Sequence, residues 1–278
     1  MNSKGLWRVA AAVLSGLFLQ VPAVAAEGTG EGFSVTFGTK VWVNEWSSWS
    51  TPTIGGQPAV APVDSSTKVS LIPVVNLRFR DFYASFSTLL NTTYTLSGQC
   101  NQFSTFCIQN PSDASRKEFD ANVGYYVLPG LGVSVGYKSL SQGFAANQAA
   151  GIPSADYRWT GPTIGATLTA PIQGGFAGYG ALGGGFFKIS LPAGDANSAV
   201  NGDLNAIYTV GEIGLAYGAA GIPRIAVTST AFTLGYRFQD VRTKDYKVRA
   251  ATGTSANGST DVSDVTQGPA LGFLLRFW

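Results

Sequence analysis

The stretch FSVTFGTKVWVN, residues 33–44, alternates without a break. Phe33, Val35, Phe37, Thr39, Val41 and Val43 fall on one side, and Ser34, Thr36, Gly38, Lys40, Trp42 and Asn44 on the other. A period of two sends successive side chains to opposite faces of an extended strand. One face suits an apolar surrounding and the other a polar one, over a length sufficient for a tilted strand to cross a hydrocarbon layer.

The same pattern recurs along the chain. A second strand, residues 69–80, sets Val75, Leu77 and Phe79 against Asn76, Arg78 and Arg80, and a third covers 82–96. The fourth, 116–128, sets Phe119, Ala121, Val123, Tyr125 and Val127 against Glu118, Asp120, Asn122 and Gly124. The fifth, 131–139, sets Leu131, Val133, Val135 and Tyr137 against Gly132, Ser134, Gly136 and Lys138, and the two form a hairpin over Leu128-Pro129-Gly130. In the sixth, 157–170, the apolar phase passes from Tyr157 and Trp159 to Ile164, Ala166 and Leu168, which predicts a β-bulge at Gly161-Pro162. The seventh, around 178–185, is too rich in glycine to assign faces. The eighth, 204–217, sets Ile207, Ile213, Leu215 and Tyr217 against Tyr208, Glu212 and Gly214. The ninth, 226–239, sets Phe232, Leu234, Tyr236 and Phe238 against Ser229, Thr233, Gly235 and Arg237, and the tenth is the carboxy terminus.

Composition points the same way. The chain is 45% hydrophobic but only 12% charged, where about 25% is usual for soluble proteins. Past residue 26 every apolar run is broken too soon for a membrane helix, and a closed barrel is the other way to satisfy backbone groups in lipid. The fold class expected is therefore all-β, an antiparallel up-and-down transmembrane β-barrel of about 10 strands. Eight or twelve follow if residues 46–50 and 245–250 pair differently. Connections alternate in length: short near Asp81 and at 128–130, 171–175 and 218–224, long at 45–68, 97–115, 140–156, 190–203 and 240–264. That places both termini at the short-turn end.

Ahead of the strands, Lys4 and Arg8 precede an apolar run over 9–19 and a small-residue segment, Pro22-Ala23-Val24-Ala25-Ala26. This is the pattern of a secretory signal peptide, residues 1–25, cleaved after Ala25 or Ala26, leaving 26–278 as a single barrel domain. Without Lys4 and Arg8 the cations fall from 18 to 16 and equal the 16 acidic residues, and no basic tract suggests nucleic acid. Cys100 and Cys107, in a polar segment of an exported chain, are expected to form one disulfide stapling a loop.

At the other end Leu271, Phe273, Leu275 and Phe277 alternate up to a terminal Trp278. This resembles the carboxy-terminal signal of bacterial outer-membrane β-barrel proteins, in which the last strand ends in an aromatic residue. The resemblance implies the outer membrane of a Gram-negative cell, periplasmic termini, and recognition by the barrel-assembly machinery. Lipid, including lipopolysaccharide, is then the surrounding partner. Here the in-phase aromatic is Phe277 and Trp278 adds one residue, and no subfamily or oligomeric state is indicated.

The chain has no histidine, which removes His-dependent triads and His-dependent proteolysis and acyl-chain removal. No catalyst, cofactor or metal site is expected. Glu118 and Asp120 share a face but suit lumen ion pairs better than acid–base work, and Gly183 to Gly185 lacks the lysine of a phosphate cradle. The expected lumen set is Lys40, Arg78, Arg80, Lys138, Arg237 and Arg276 against Glu118, Asp120 and Glu212. It predicts a net basic interior and anion preference. Trp42, Trp46, Trp49, Trp159 and Trp278 are expected at the headgroups. Two functional readings follow: a porin-like narrow passive conduit for small solutes, or a barrel platform displaying long extracellular loops for adhesion, binding or a structural role.

Overall fold

The computed structural model describes residues 32–51, 53–54, 57–58, 62–98, 112–145, 155–190, 204–222, 226–248 and 258–278. The signal peptide with its cleavage positions, and Cys100 and Cys107, lie outside the described residues.

The strands are β1 (Phe33–Thr51), β2 (Thr53–Ile54), β3 (Gln57–Pro58), β4 (Val63–Ser65), β5 (Lys68–Phe79), β6 (Phe82–Gly98), β7 (Ser112–Leu128), β8 (Leu131–Phe144), β9 (Ala155–Pro171), β10 (Phe176–Ser190), β11 (Leu204–Ile222), β12 (Val227–Val248) and β13 (Gly258–Phe277). β2 and β3 form a small hairpin of their own, and the other eleven belong to one antiparallel sheet. The short β4 pairs with β1 and β6, the same two neighbours that β5 has further down, so β4 and β5 act as one interrupted strand. Eleven less one leaves ten strands around the ring, each paired with its neighbours in sequence. The ring closes where β13 meets β1, from Val35↔Phe277 to Thr51↔Asp261.

Facing directions follow the alternation. On β1, Lys40 and Trp42 are buried inside while Phe33 and Phe37 are about half exposed outside. The outer face is apolar from the short-turn end upward and then turns charged. On β12 it runs Phe232, Leu234, Tyr236, Phe238 and then Asp240 and Arg242; on β7, Val127, Tyr125, Val123, Phe119 and then Lys117 and Asp113. The apolar belt marks the part that sits in hydrocarbon. β12, at 22 residues, is about twice the 9–11 needed to cross, so the barrel wall stands out of the membrane at the loop end.

That projection explains where the structure departs from the sequence reading. Within the belt apolar residues point out. Above it the meaning of the alternation inverts: Trp159, Ile189, Leu204 and Val241 are buried inside, and Arg158, Lys188 and Arg242 are exposed outside. The phase change expected to mark a bulge at Gly161-Pro162 is this boundary. β9 keeps unbroken register there, Thr160↔Ser139 and Pro162↔Tyr137. Irregularities fall instead at Leu89/Thr92, Tyr126/Leu128, Val227/Ser229 and Thr243/Tyr246. The same inversion hid the upper halves of β1, β8 and β12, read as loop. In glycine-rich β10 the faces are set by its partners, with Ala177, Tyr179, Ala181, Phe187 and Ile189 inward.

Short turns are tight. Arg80 and Asp81 join β5 to β6, with Arg80 at φ 56°. Pro129 and Gly130 join β7 to β8, Pro129 fixing its own φ and Gly130 taking φ 82°. Gly174 and Gly175 turn the chain between β9 and β10. Between β11 and β12 the pairing continues to Ile222↔Val227, so strand reaches into the 218–224 expected as a turn.

Inside the short-turn half, Tyr83 lies across Gly124, and its hydroxyl donates to the Val133 carbonyl at 3.0 Å. A Cβ on Gly124 would stand 2.1 Å from Tyr83 Cζ. Gly124→Val is expected to cost about 1–3 kcal/mol through overpacking, read as a lower urea midpoint in lipid vesicles. Adding Tyr83→Ala should return part of that loss, and a double variant no better than the single would contradict the contact.

Candidate functional site

The lumen is filled by a charged layer that register assembles from five strands. Asp120 and Lys138 are direct cross-strand partners on β7 and β8, and Arg116 and Glu118 follow Asp120 on the same inward face. Glu212 and Arg237 are direct partners on β11 and β12, with Gln239 next in phase. Lys40 enters from β1.

Lys138 Nζ reaches Glu118 Oε2 at 2.6 Å and Asp120 Oδ2 at 3.0 Å. Arg116 Nε donates to Glu118 Oε1 at 2.8 Å and its Nη1 to Thr266 at 2.7 Å. Gln239 Nε2 also donates to Glu118, crossing the lumen from β12 to β7. The second cluster centres on Glu212, whose Oε1 accepts from Lys40 Nζ at 3.0 Å and from the Tyr179 hydroxyl at 2.6 Å. Arg237 joins both. Its Nη1 lies 3.9 Å from Glu212, its Nη2 donates to Gln239 at 3.3 Å, and its guanidinium sits 5.1 Å from the centre of the Trp42 ring.

Among the described residues the buried cations are Lys40, Arg116, Lys138 and Arg237, and the buried carboxylates Glu118, Asp120, Glu212 and Asp264, four of each. These fully buried groups match in charge; Arg78 and Arg276, which also face the lumen, leave the interior as a whole with more cations than carboxylates among the described residues. Inside a low-dielectric wall an uncompensated charge costs several kcal/mol, so the layer is matched. Arg80 does not enter it: it is exposed in the β5–β6 turn, its guanidinium 5.4 Å from the Phe79 ring centre. Arg78 and Arg276 face the lumen near the short-turn mouth, away from the layer, with Arg78 4.6 Å from the Tyr126 ring centre. Arg116, fully buried, was missed, although its even-numbered phase with Glu118 and Asp120 was available as a signal. Tyr208 was on the lumen face by phase, with Glu212, while Gln239, Thr266 and Tyr179 were not singled out; all four become network members only through register.

Above the charged layer the interior is aromatic. Trp46 packs against Tyr94 at 5.8 Å and Phe144 at 5.7 Å, Phe144 against Tyr157 at 5.7 Å, and Tyr157 against Trp159 at 5.9 Å between ring centres. Phe187 stacks on Tyr208 at 4.9 Å across β10 and β11. Trp42, Trp46 and Trp159, expected at the headgroups, are thus inside, at 0%, 2% and 4% exposure. Phase outranks residue type: they lie in step with inward neighbours, and the indoles of Trp42 and Trp46 donate to Gly268 O and Asp264. Trp49 and Trp278 are exposed.

In comparisons with known proteins, no family model matches the chain and no curated protein matches it. Among solved structures, the outer membrane protease OmpT from Escherichia coli is similar with a TM-score of 0.50 at 14% identity, covering 88% of this chain and 98% of that one. The fold is that of an outer-membrane β-barrel. The outer membrane protein OprG from Pseudomonas aeruginosa matches with a TM-score of 0.34 at 14% identity over 88% of this chain and 95% of that one. The toluene transporter TodX from Pseudomonas putida matches at 0.32 and 9% over 94% of each.

Removing one partner of a buried ion pair strands the other. Lys138→Met is expected to destabilise the barrel by about 3–5 kcal/mol. Combining it with Asp120→Asn, which leaves Glu118 to Arg116, should restore part of the loss in urea unfolding, whereas a double variant still less stable than the single would show that these groups act independently.

Proposed function

We propose that the protein is an outer-membrane barrel, closed at rest, that acts through the segments displayed at its loop end, by adhesion, ligand binding or structural support at the cell surface. The observation that supports it is the filled lumen. Trp42, Tyr94, Arg116, Lys138, Phe187 and Tyr208 are all below 2% or at 2% exposure, and the charged layer and aromatic core together occupy the interior from mid-wall to the loop end. Eight-stranded barrels are filled with side chains while sixteen strands leave a water channel; these ten strands are closed by large residues. A rigid projecting wall with its own apolar core fixes the roots of the loops.

In this reading the short-turn end faces the periplasm, and the terminal strand with outward Leu271 and Phe273 serves the barrel-assembly machinery. The exposed Lys117, Arg158 and Arg242, just above the apolar belt, fit lipopolysaccharide phosphates. We read the chain as non-catalytic. The proteolytic activity that names the Escherichia coli neighbour is not carried over, since the sequence has no histidine and Glu118 and Asp120 are engaged by cations.

One observation favours the conduit as a second reading. Below the charged layer the inward positions include Ser34, Thr36, Asn76, Thr167, Thr233 and Gly272, small or polar groups that would line a path if the layer parted. Planar-bilayer recordings separate the two readings. A folded, heat-modifiable wild type that gives no current is expected; discrete steps whose ion preference shifts in Arg78→Glu and Arg237→Glu would replace the closed platform with a conduit.

A further inference from the structure

The outer wall near the short-turn end carries a notch. Cross-strand register places Leu77, Ala84, Val123 and Val135 in one outward row across β5, β6, β7 and β8. The row nearer the turns is Phe33, Phe79, Phe82, Tyr125 and Val133. Along β6, Ala84 stands between outward Phe82 and Phe86, so a methyl group replaces a ring in the middle of an aromatic surface. The result is a shallow, largely open depression of about 580 Å³, lined mainly by apolar atoms.

The rim of the notch is cationic. Arg80 follows Phe79 directly, is exposed in the β5–β6 turn, and holds its guanidinium 5.4 Å from the centre of the Phe79 ring. Its backbone carbonyl accepts from Arg78 Nε at 2.8 Å, which ties the turn to the wall. No carboxylate among the described residues forms an ion pair with Arg80. An apolar recess at hydrocarbon depth with a guanidinium at its headgroup edge matches an amphipathic molecule with one anionic group.

We propose that this notch is a binding site for one phospholipid, an acyl chain lying over Ala84 and the headgroup phosphate on Arg80. The leaflet assignment, periplasmic, rests on the orientation proposed above. Binding itself does not, because in micelles either end is accessible.

Native mass spectrometry of the full mature chain, in mild detergent micelles doped equally with phosphatidylglycerol and phosphatidylcholine, tests it. The wild type should retain one phospholipid, with phosphatidylglycerol favoured by about fivefold, the scale of one exposed charge pair. Arg80→Gln should bring that ratio close to one, and Lys188→Gln, exposed at the loop end of β10, should leave it unchanged. Ala84→Phe, or Ala84→Leu if the larger ring prevents folding, should abolish retention of both lipids in protein that remains heat-modifiable. Retention in both Ala84 variants equal to wild type, no lipid on the wild type, or an equal change of ratio in Lys188→Gln and Arg80→Gln would each overturn the proposal.

Discussion

Pairing of β13 with β1 is the constraint on which the other features rest. In hydrocarbon an unpaired strand edge leaves each N–H and C=O without a partner at a cost of several kcal/mol, so the sheet must close. Closure after ten strands fixes the circumference and therefore the space inside. It is too wide for small residues alone to fill, and the sequence supplies Trp42, Arg116, Lys138 and Tyr208 at inward positions. The register that closes the ring also brings Asp120 opposite Lys138 and Glu212 opposite Arg237.

Two solvents act on the wall, and the interior responds to both. Where lipid surrounds the barrel, apolar side chains face out and charges are driven inward, where they survive only by matching one another. Where the wall stands in water, charges face out and the interior becomes an ordinary hydrophobic core of Trp46, Tyr94, Trp159, Phe187 and Ile189. Buried ion pairs of this kind contribute little net stability against an apolar filling, but they penalise any arrangement that separates them. The charged layer thus specifies one closed packing more than it strengthens the fold.

The strands inside the belt were legible because period two and a single solvent contrast suffice to read them. Lys40, Glu118, Asp120, Lys138, Glu212 and Arg237 were placed inside by phase alone, and the structure puts them there. Strand ends were not legible, since the alternation at Leu140–Phe144 and Val241–Lys244 carries the opposite solvent meaning. Phase alone also assigned Arg80 inward, where a tight turn with positive φ takes it out of the alternation. The pairing partners of Glu118 and Glu212 depend on register between strands distant in sequence, up to 172 residues for Lys40 and Glu212. A single chain does not display that register.

Large side chains fill the lumen at the level of the charged layer. Ser70, fully buried there between Asn44 and Thr92, offers a position to probe it. In a background with Cys100→Ser and Cys107→Ser, the reaction of Ser70→Cys with a charged, water-soluble thiol reagent should be compared with that of Thr36→Cys in the partly open short-turn half. Strong protection of Ser70→Cys beside a reactive Thr36→Cys is the result predicted; equal labelling rates in folded protein would mean that water reaches the middle of the barrel and would contradict the account.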